Sequence, residues 1–145
     1  AVPPVSAATQ LRAAIITRLK ANSALQATAM GASPRIYNRA PPAQDPRSKF
    51  PFLVVTQTSR PWDTDSDRGA ELEVSLHLFG EYEGDAEGEA IFQATLEALR
   101  DWPPAALSTH HLVNLVCRFS NVRSEEDGKR YYGLQTYRAV TEETA

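Results

Sequence analysis

The stretch AELEVSLHLFGE, residues 70–81, decides the fold. Leu72, Val74, Leu76 and Leu78 take alternate positions, with Glu71, Glu73, Ser75 and His77 between them. Successive side chains of a β-strand point to opposite faces, so this segment has one apolar and one polar face. Such a strand belongs to a sheet covered on one side only, as antiparallel sheets commonly are. The cover has to come from elsewhere in the chain.

Two segments have the spacing to supply it. In SAATQLRAAIITRLKANSALQATAMGASP (6–34), Leu11, Ile15 and Leu19 fall at i, i+4 and i+8 and form one apolar stripe. Ser6 is the expected N-cap behind Pro3-Pro4. Asn22 interrupts the pattern. Ser23 to Gln26 then has capping-box spacing, with a second short helix expected to run to Gly31. In DAEGEAIFQATLEALRDW (85–102), Ile91, Thr95, Ala98, Leu99 and Trp102 line one face. Asp85 caps this helix, Glu87 and Glu89 suit its positive end, and Pro103-Pro104 ends it.

The remaining strands flank these helices. RIYN (35–38) reads as a short strand, and FLVVTQT (52–58), β-branched and apolar, as a longer one. Between them Pro41, Pro42, Pro46 and Pro51 hold a loop. HLVNLVCRFSNVRSEEDGKRYYGLQTYRAVTEE (111–143) predicts a long hairpin around Asp127-Gly128, a favoured two-residue turn. In that register Glu126 faces Lys129, Glu125 faces Arg130 and Arg118 faces Tyr137. The opposite charges support it. Leu115, Cys117, Phe119, Leu134 and Val140 are expected on the core side. The order is α-(α)-β-β-β-α-β-β, an α+β fold with two main helices on one face of a mostly antiparallel sheet. It reads as a single domain over 1–145, with residues 1–5 a flexible arm.

Bulk properties narrow the function. The chain has 145 residues, 42% of them apolar, a net charge of −3 and a pI near 5.6. That length suits one hydrophobic core, and that charge argues against a protein that grips nucleic acid through phosphates. Cys117 is the single cysteine, so no internal disulfide forms, and the cytosol or an assembly built there is the expected compartment. No apolar run reaches the roughly 18 residues that would cross a bilayer, and the N-terminus lacks signal-peptide features.

PWDTDSDRG (61–69) is the first candidate site. Asp63, Asp65 and Asp67 match positions 1, 3 and 5 of a calcium-binding loop. Position 6 is Arg68 where glycine is needed, and position 12 is Val74 where a bidentate acid is needed. The flanks read as strands where the motif needs helices. The stretch is therefore a loop between strands, with Trp62 either an interface anchor beside Arg60 and Arg68 or a lid over the core edge. His110-His111 on an extended chain point apart and cannot easily share a metal. There is no G-x-S-x-G, P-loop or G-x-G-x-x-G motif, and the carboxylates sit in solvated places. The sequence points away from an enzyme, a metal site and a cofactor. RSEEDGKRYY (123–132), mixed in charge and carrying Tyr131 and Tyr132, suits polar protein–protein contact. The 70–81 strand can also pair across subunits if it lies at an edge.

Taken in order, RIYNRAPP, FPFLVVTQ, the aspartate loop, ELEVSLHLFGEYEGDAEGEAIF and the whole 111–143 segment resemble the tail terminator (tail completion) proteins of long-tailed phages and of alphaproteobacterial gene transfer agents. The resemblance spans nearly the whole chain. It implies a non-enzymatic virion protein without cofactors. It implies a ring, usually a hexamer, on the head-proximal end of the tail tube. That ring stops tube polymerisation, meets the head-completion proteins and lets DNA through its lumen. The implied place is the head–tail junction of a virion or gene-transfer-agent particle assembled in the bacterial cytoplasm. Another head–tail connector or stopper is the alternative, and a small metal-binding enzyme domain a more distant one. A closed ring of this kind needs two different complementary surfaces per subunit. Trp62, Asp63, Asp65, Asp67 and Arg68 at one loop, and Arg123, Glu125, Glu126, Lys129 and Arg130 at the hairpin tip, are the candidates.

Overall fold

The computed structural model describes residues 7–28, 35–38, 51–63, 68–81, 86–100, 110–124 and 130–143. The elements are α1 (Ala7–Lys20), α2 (Ser23–Gln26), β1 (Ile36–Tyr37), β2 (Phe52–Asp63), β3 (Arg68–Gly80), α3 (Ala86–Arg100), β4 (His110–Ser124) and β5 (Tyr131–Glu143). The strands form one sheet in the order β1-β2-β3-β5-β4. β1 runs parallel to β2, and every other pairing is antiparallel. The element order and the α+β class are those expected from the sequence.

The alternation in β3 has the expected consequence. Leu72, Val74, Leu76 and Leu78 are buried, while Glu71, Ser75 and His77 are half-buried and Glu73 is exposed. Leu11, Ile15 and Leu19 of α1 and Ile91, Phe92, Ala98 and Leu99 of α3 bury against the apolar face. Packing α1 over β2 and β3, and α3 over β4 and β5, completes a two-layer structure. Each fully buried Leu, Ile or Phe contributes about 1.5–3 kcal/mol before conformational entropy offsets it.

Two features lock α3 to the sheet. The Tyr131 ring fits between Gly80 of β3 and Gly88 of α3, where a Cβ would lie 1.9 Å and 2.9 Å from ring atoms. Its hydroxyl donates to Glu87 at 2.7 Å. Burial, and then this hydrogen bond, hold the phenol far above its ordinary pKa. The second feature is the Gln135 side chain, wholly buried. Its Nε2 donates to the Phe92 carbonyl at 3.2 Å and to Ser120 Oγ at 3.1 Å. Its Oε1 accepts from the Tyr137 hydroxyl at 2.7 Å and lies 2.7 Å from Thr95 Oγ1. All the donor and acceptor capacity of the amide is used, which removes the penalty of burying it.

Several local expectations change. The cap of α2 is Asn22, whose Oδ1 accepts from the Leu25 amide at 2.9 Å, and Ser23 is already helical. Asn is as good an N-cap as Ser, so the helix starts one turn-residue earlier than the capping-box spacing implies. It ends at Gln26, and Gly31 lies outside the described residues. So do Ser6, Asp85, Trp102 and Pro103-Pro104. In the hairpin, Ser124 pairs with Tyr131 and the predicted register holds as far as Phe119 opposite Thr136. Arg118 is then an extra residue, so Tyr137 faces Cys117 and not Arg118. A second irregularity lies between Leu112 and Asn114. Each bulge shifts every residue beyond it by one, which exchanges faces. Leu115 and Cys117 keep the helix side, whereas Phe119, Leu134 and Val140 lie on the other face. The core side of β5 is Tyr131, Gly133, Gln135, Tyr137, Ala139 and Thr141.

Candidate functional site

The sheet has a helix layer on one face and, among the described residues, nothing over the other. The strand registers lay out that open face as rows across the sheet. Phe52, Phe79, Tyr132 and Arg123 form one row, and Tyr37, Val54, His77, Leu134 and Asn121 the next. Thr56, Ser75, Thr136 and Phe119 follow, then Thr58, Glu73, Arg138 and Val116, then Arg60, Glu71, Val140 and Asn114.

Three zones result. The first is aromatic. Phe52 stacks on Phe79 with centroids 5.1 Å apart, Phe79 meets Tyr132 edge-on at 5.3 Å, and Tyr37 lies 6.1 Å from Phe52. Such arrangements suit the ring quadrupoles. His77 joins them through Nδ1, 2.8 Å from the Tyr132 hydroxyl, and Nε2, 3.1 Å from Thr56 Oγ1. Desolvation lowers its pKa, so the imidazole favours the neutral form. The second zone is a hollow of about 460 Å³ lined by Arg60, Glu71, Glu73, Arg118 and Arg138. Arg138 Nε donates to Glu71 Oε1 at 2.6 Å, and this bond with the attendant charge holds the Glu71 carboxyl below its usual range. The third zone is β4, where Val116 is 46% exposed and Phe119 50%.

The described members of the predicted set, Trp62, Asp63, Arg68, Arg123 and Arg130, lie at opposite ends of the sheet. Trp62 and Asp63 lie in β2, and Arg68 lies opposite Asp63 in β3, so the strands extend into the stretch read as a loop. A strand continues as long as its partner supplies hydrogen bonds, whatever the turn-like composition. Asp65 and Asp67 lie outside the described residues. Arg123 is exposed at the far end of the open face, and Arg130 is exposed just before β5. Glu125, Glu126 and Lys129 lie outside the described residues. The twelve residues of β2 separate the two ends by roughly 36 Å at about 3.3 Å per step.

No catalytic constellation emerges among the described residues. No three or more His, Cys, Asp or Glu side chains gather as a metal site there. His110 and His111 are consecutive in β4, pairing with Glu143 and Glu142. Cys117 is half-buried, its thiol pKa pushed up by burial, and Sγ lies 3.6 Å from the Phe119 carbonyl. What the sequence reading missed is the apolar surface of β4. Its signal was a surplus: Leu112, Val113, Leu115, Val116 and Phe119 are more apolar residues than one face of a strand can bury.

A family model for tail completion protein gp17 matches residues 13–142. The chain belongs to that family. In structure it is similar to a chain of the virion of a native gene transfer agent particle. The TM-score is 0.78 at 21% identity, over 96% of this chain and 99% of that one, a likeness of fold. No curated protein matches the sequence.

Proposed function

We propose that this chain is a tail terminator of a tailed particle, a phage or a gene transfer agent. Copies close into a ring, a hexamer, on the head-proximal end of the tail tube. The ring ends tube polymerisation, offers its other side to a head-completion protein and leaves a lumen through which DNA passes. The particle is assembled in the bacterial cytoplasm, and the protein stays at its head–tail junction. The whole chain acts as one unit, with residues 1–5 as an arm. The role asks for no catalysis and no cofactor.

The family match over residues 13–142 carries this reading. Physical features support it. A sheet face that no other described element covers, bearing half-exposed Phe119 and Val116, suits a protein buried in an assembly. A net charge of −3 suits a channel that has to release DNA, because phosphates gain nothing from carboxylates. The two charged ends of the sheet suit two different neighbours. The end with Trp62, Asp63 and Arg68, with Asp65 and Asp67 between the strands, would face one axial partner. The end with Arg123 and Arg130, with Glu125, Glu126 and Lys129 between them in sequence, would face the other.

The test is to add the purified protein to growing tubes of the cognate tail tube protein and score tube length and end structure by negative-stain microscopy. Shorter tubes with a ring on one end support termination. Tubes of unchanged length with bare ends sink it. Binding to portal or adaptor protein in place of tubes would make the chain a connector.

A further inference from the structure

The bulges of β4 determine what it displays. Cys117 faces the helices, Arg118 is the extra residue, and Phe119 opposite Thr136 faces out. Without the extra residue the alternation from Cys117 would turn Phe119 toward the helix layer. A bulge that re-aims a large apolar side chain into solvent is a designed feature more often than a defect. Arg118 and Arg123, both exposed, bracket Phe119 along the strand. The strip is thus an apolar knob between two cations.

The opposite side of the same chain carries its counterpart. α3 buries Ile91, Phe92, Thr95, Ala98 and Leu99 and exposes Glu89, Ala90, Gln93 and Glu97. Glu89, Gln93 and Glu97 are spaced by four, so they form one stripe, and the Gln93 amide donates to Glu97 at 3.1 Å. The stripe is small at Ala90 and acidic at both ends. Its carboxylates are about 12 Å apart along the helix, while Arg118 and Arg123 are roughly 16 Å apart along the strand. Flexible arginine side chains span that difference. The two surfaces lie on opposite layers of the domain, so a chain cannot satisfy its own. Two such faces on one subunit are what a head-to-tail, heterologous contact uses.

We propose that the open face of β4 docks on the outer face of α3 in a second copy of this chain. Phe119 rests against Ala90 and Gln93, and Arg118 and Arg123 meet the carboxylates of Glu89 and Glu97. This deepens the ring reading and rests on it. The contact uses the two faces of the domain, which leaves the two charged sheet ends for the tube and the head.

Charge exchange tests the pairing. One variant carries Arg118→Glu and Arg123→Glu, the other Glu89→Lys and Glu97→Lys. All four positions are exposed, and circular dichroism confirms folding. Like charges now meet in a homogeneous ring of either variant, so each alone should lose ring by at least about tenfold in native mass spectrometry. Mixed one to one, acidic β4 meets basic α3 and basic β4 meets acidic α3. Rings should return, even-numbered and alternating. If the wild type assembles only on tube ends, the same comparison is made with tail tube protein present. Variants that ring as well as wild type, or a mixture that recovers nothing, overturn the pairing and leave the ring reading standing. Variants that ring normally but no longer bind tubes assign the strip to the tube protein and also overturn it. A wild type that stays monomeric with and without tubes overturns the ring reading itself.

Discussion

Replacing Gly80 with alanine should loosen the join between the sheet and α3. The new Cβ would lie 1.9 Å from Tyr131 Cζ and 2.2 Å from Cε1. Carbon atoms in contact prefer about 3.5–4.0 Å, so the ring would have to retreat by roughly 1.5 Å or more. It has little room to do so. The Gly88 position closes on the ring from α3, where a Cβ would sit at 2.9 Å, and Tyr131 is 1% exposed. Overpacking of this kind costs typically about 1–3 kcal/mol, and so severe an overlap places Gly80→Ala near about 3. An alanine that fitted would instead stabilise by about 0.4–1 kcal/mol through the unfolded chain. The sign alone is therefore informative. Urea titration followed by circular dichroism gives the free energy by linear extrapolation. Tyr131→Leu shortens the ring and costs about 2–3 kcal/mol in lost packing and the Glu87 hydrogen bond. The double variant should be no less stable than Tyr131→Leu alone, a coupling of about 3 kcal/mol. A neutral or stabilising Gly80→Ala, or simple additivity, would refute this seating of the ring.

Gln135→Leu should cost about 2 kcal/mol by removing the amide acceptor of the Tyr137 hydroxyl, and adding Tyr137→Phe should recover most of it, because removing both partners of a buried hydrogen bond is nearly neutral; the same urea titrations decide. Desolvation holds His77 below its ordinary value of 6.5, so the unfolded chain binds the proton more readily. Its contribution is full above that value and lost as pH falls below it, so His77→Gln should flatten the loss of stability on the acid side, and an unchanged slope would contradict this. Phe119→Ser should leave the urea midpoint within about 0.5 kcal/mol of wild type, because the ring is half exposed, while reducing self-association in sedimentation.

The sequence is clearest where one period runs unbroken. β3 alternates without a fault and fixed the covered face, and Leu11, Ile15 and Leu19 did the same for α1. Opposite charges near the hairpin turn gave the correct register from Ser124 back to Phe119. Legibility ended at Arg118, because a bulge depends on tertiary fit and leaves no mark in composition. The core face of β5 was hidden for another reason. It uses Gly133, Gln135 and Thr141, residues that look solvent-facing, and buries them by close approach to Phe92, by a satisfied amide and by a hydroxyl donated to the Ala70 carbonyl, in that order. Leu134 and Val140 looked like core and face the open side. Of the predicted contact residues, the described ones, Trp62, Asp63, Arg68, Arg123 and Arg130, lie at the two ends of the sheet, while the apolar strip between them became visible only once the bulges were placed.

The proposed role requires that this chain assemble into a ring that ends a tail tube. Native mass spectrometry of the purified protein, alone and mixed with its tail tube protein, tests it most directly. A single closed oligomer, a hexamer, is expected, either in solution or on addition of tubes. A monomer that ignores the tube protein in every mixture would contradict it.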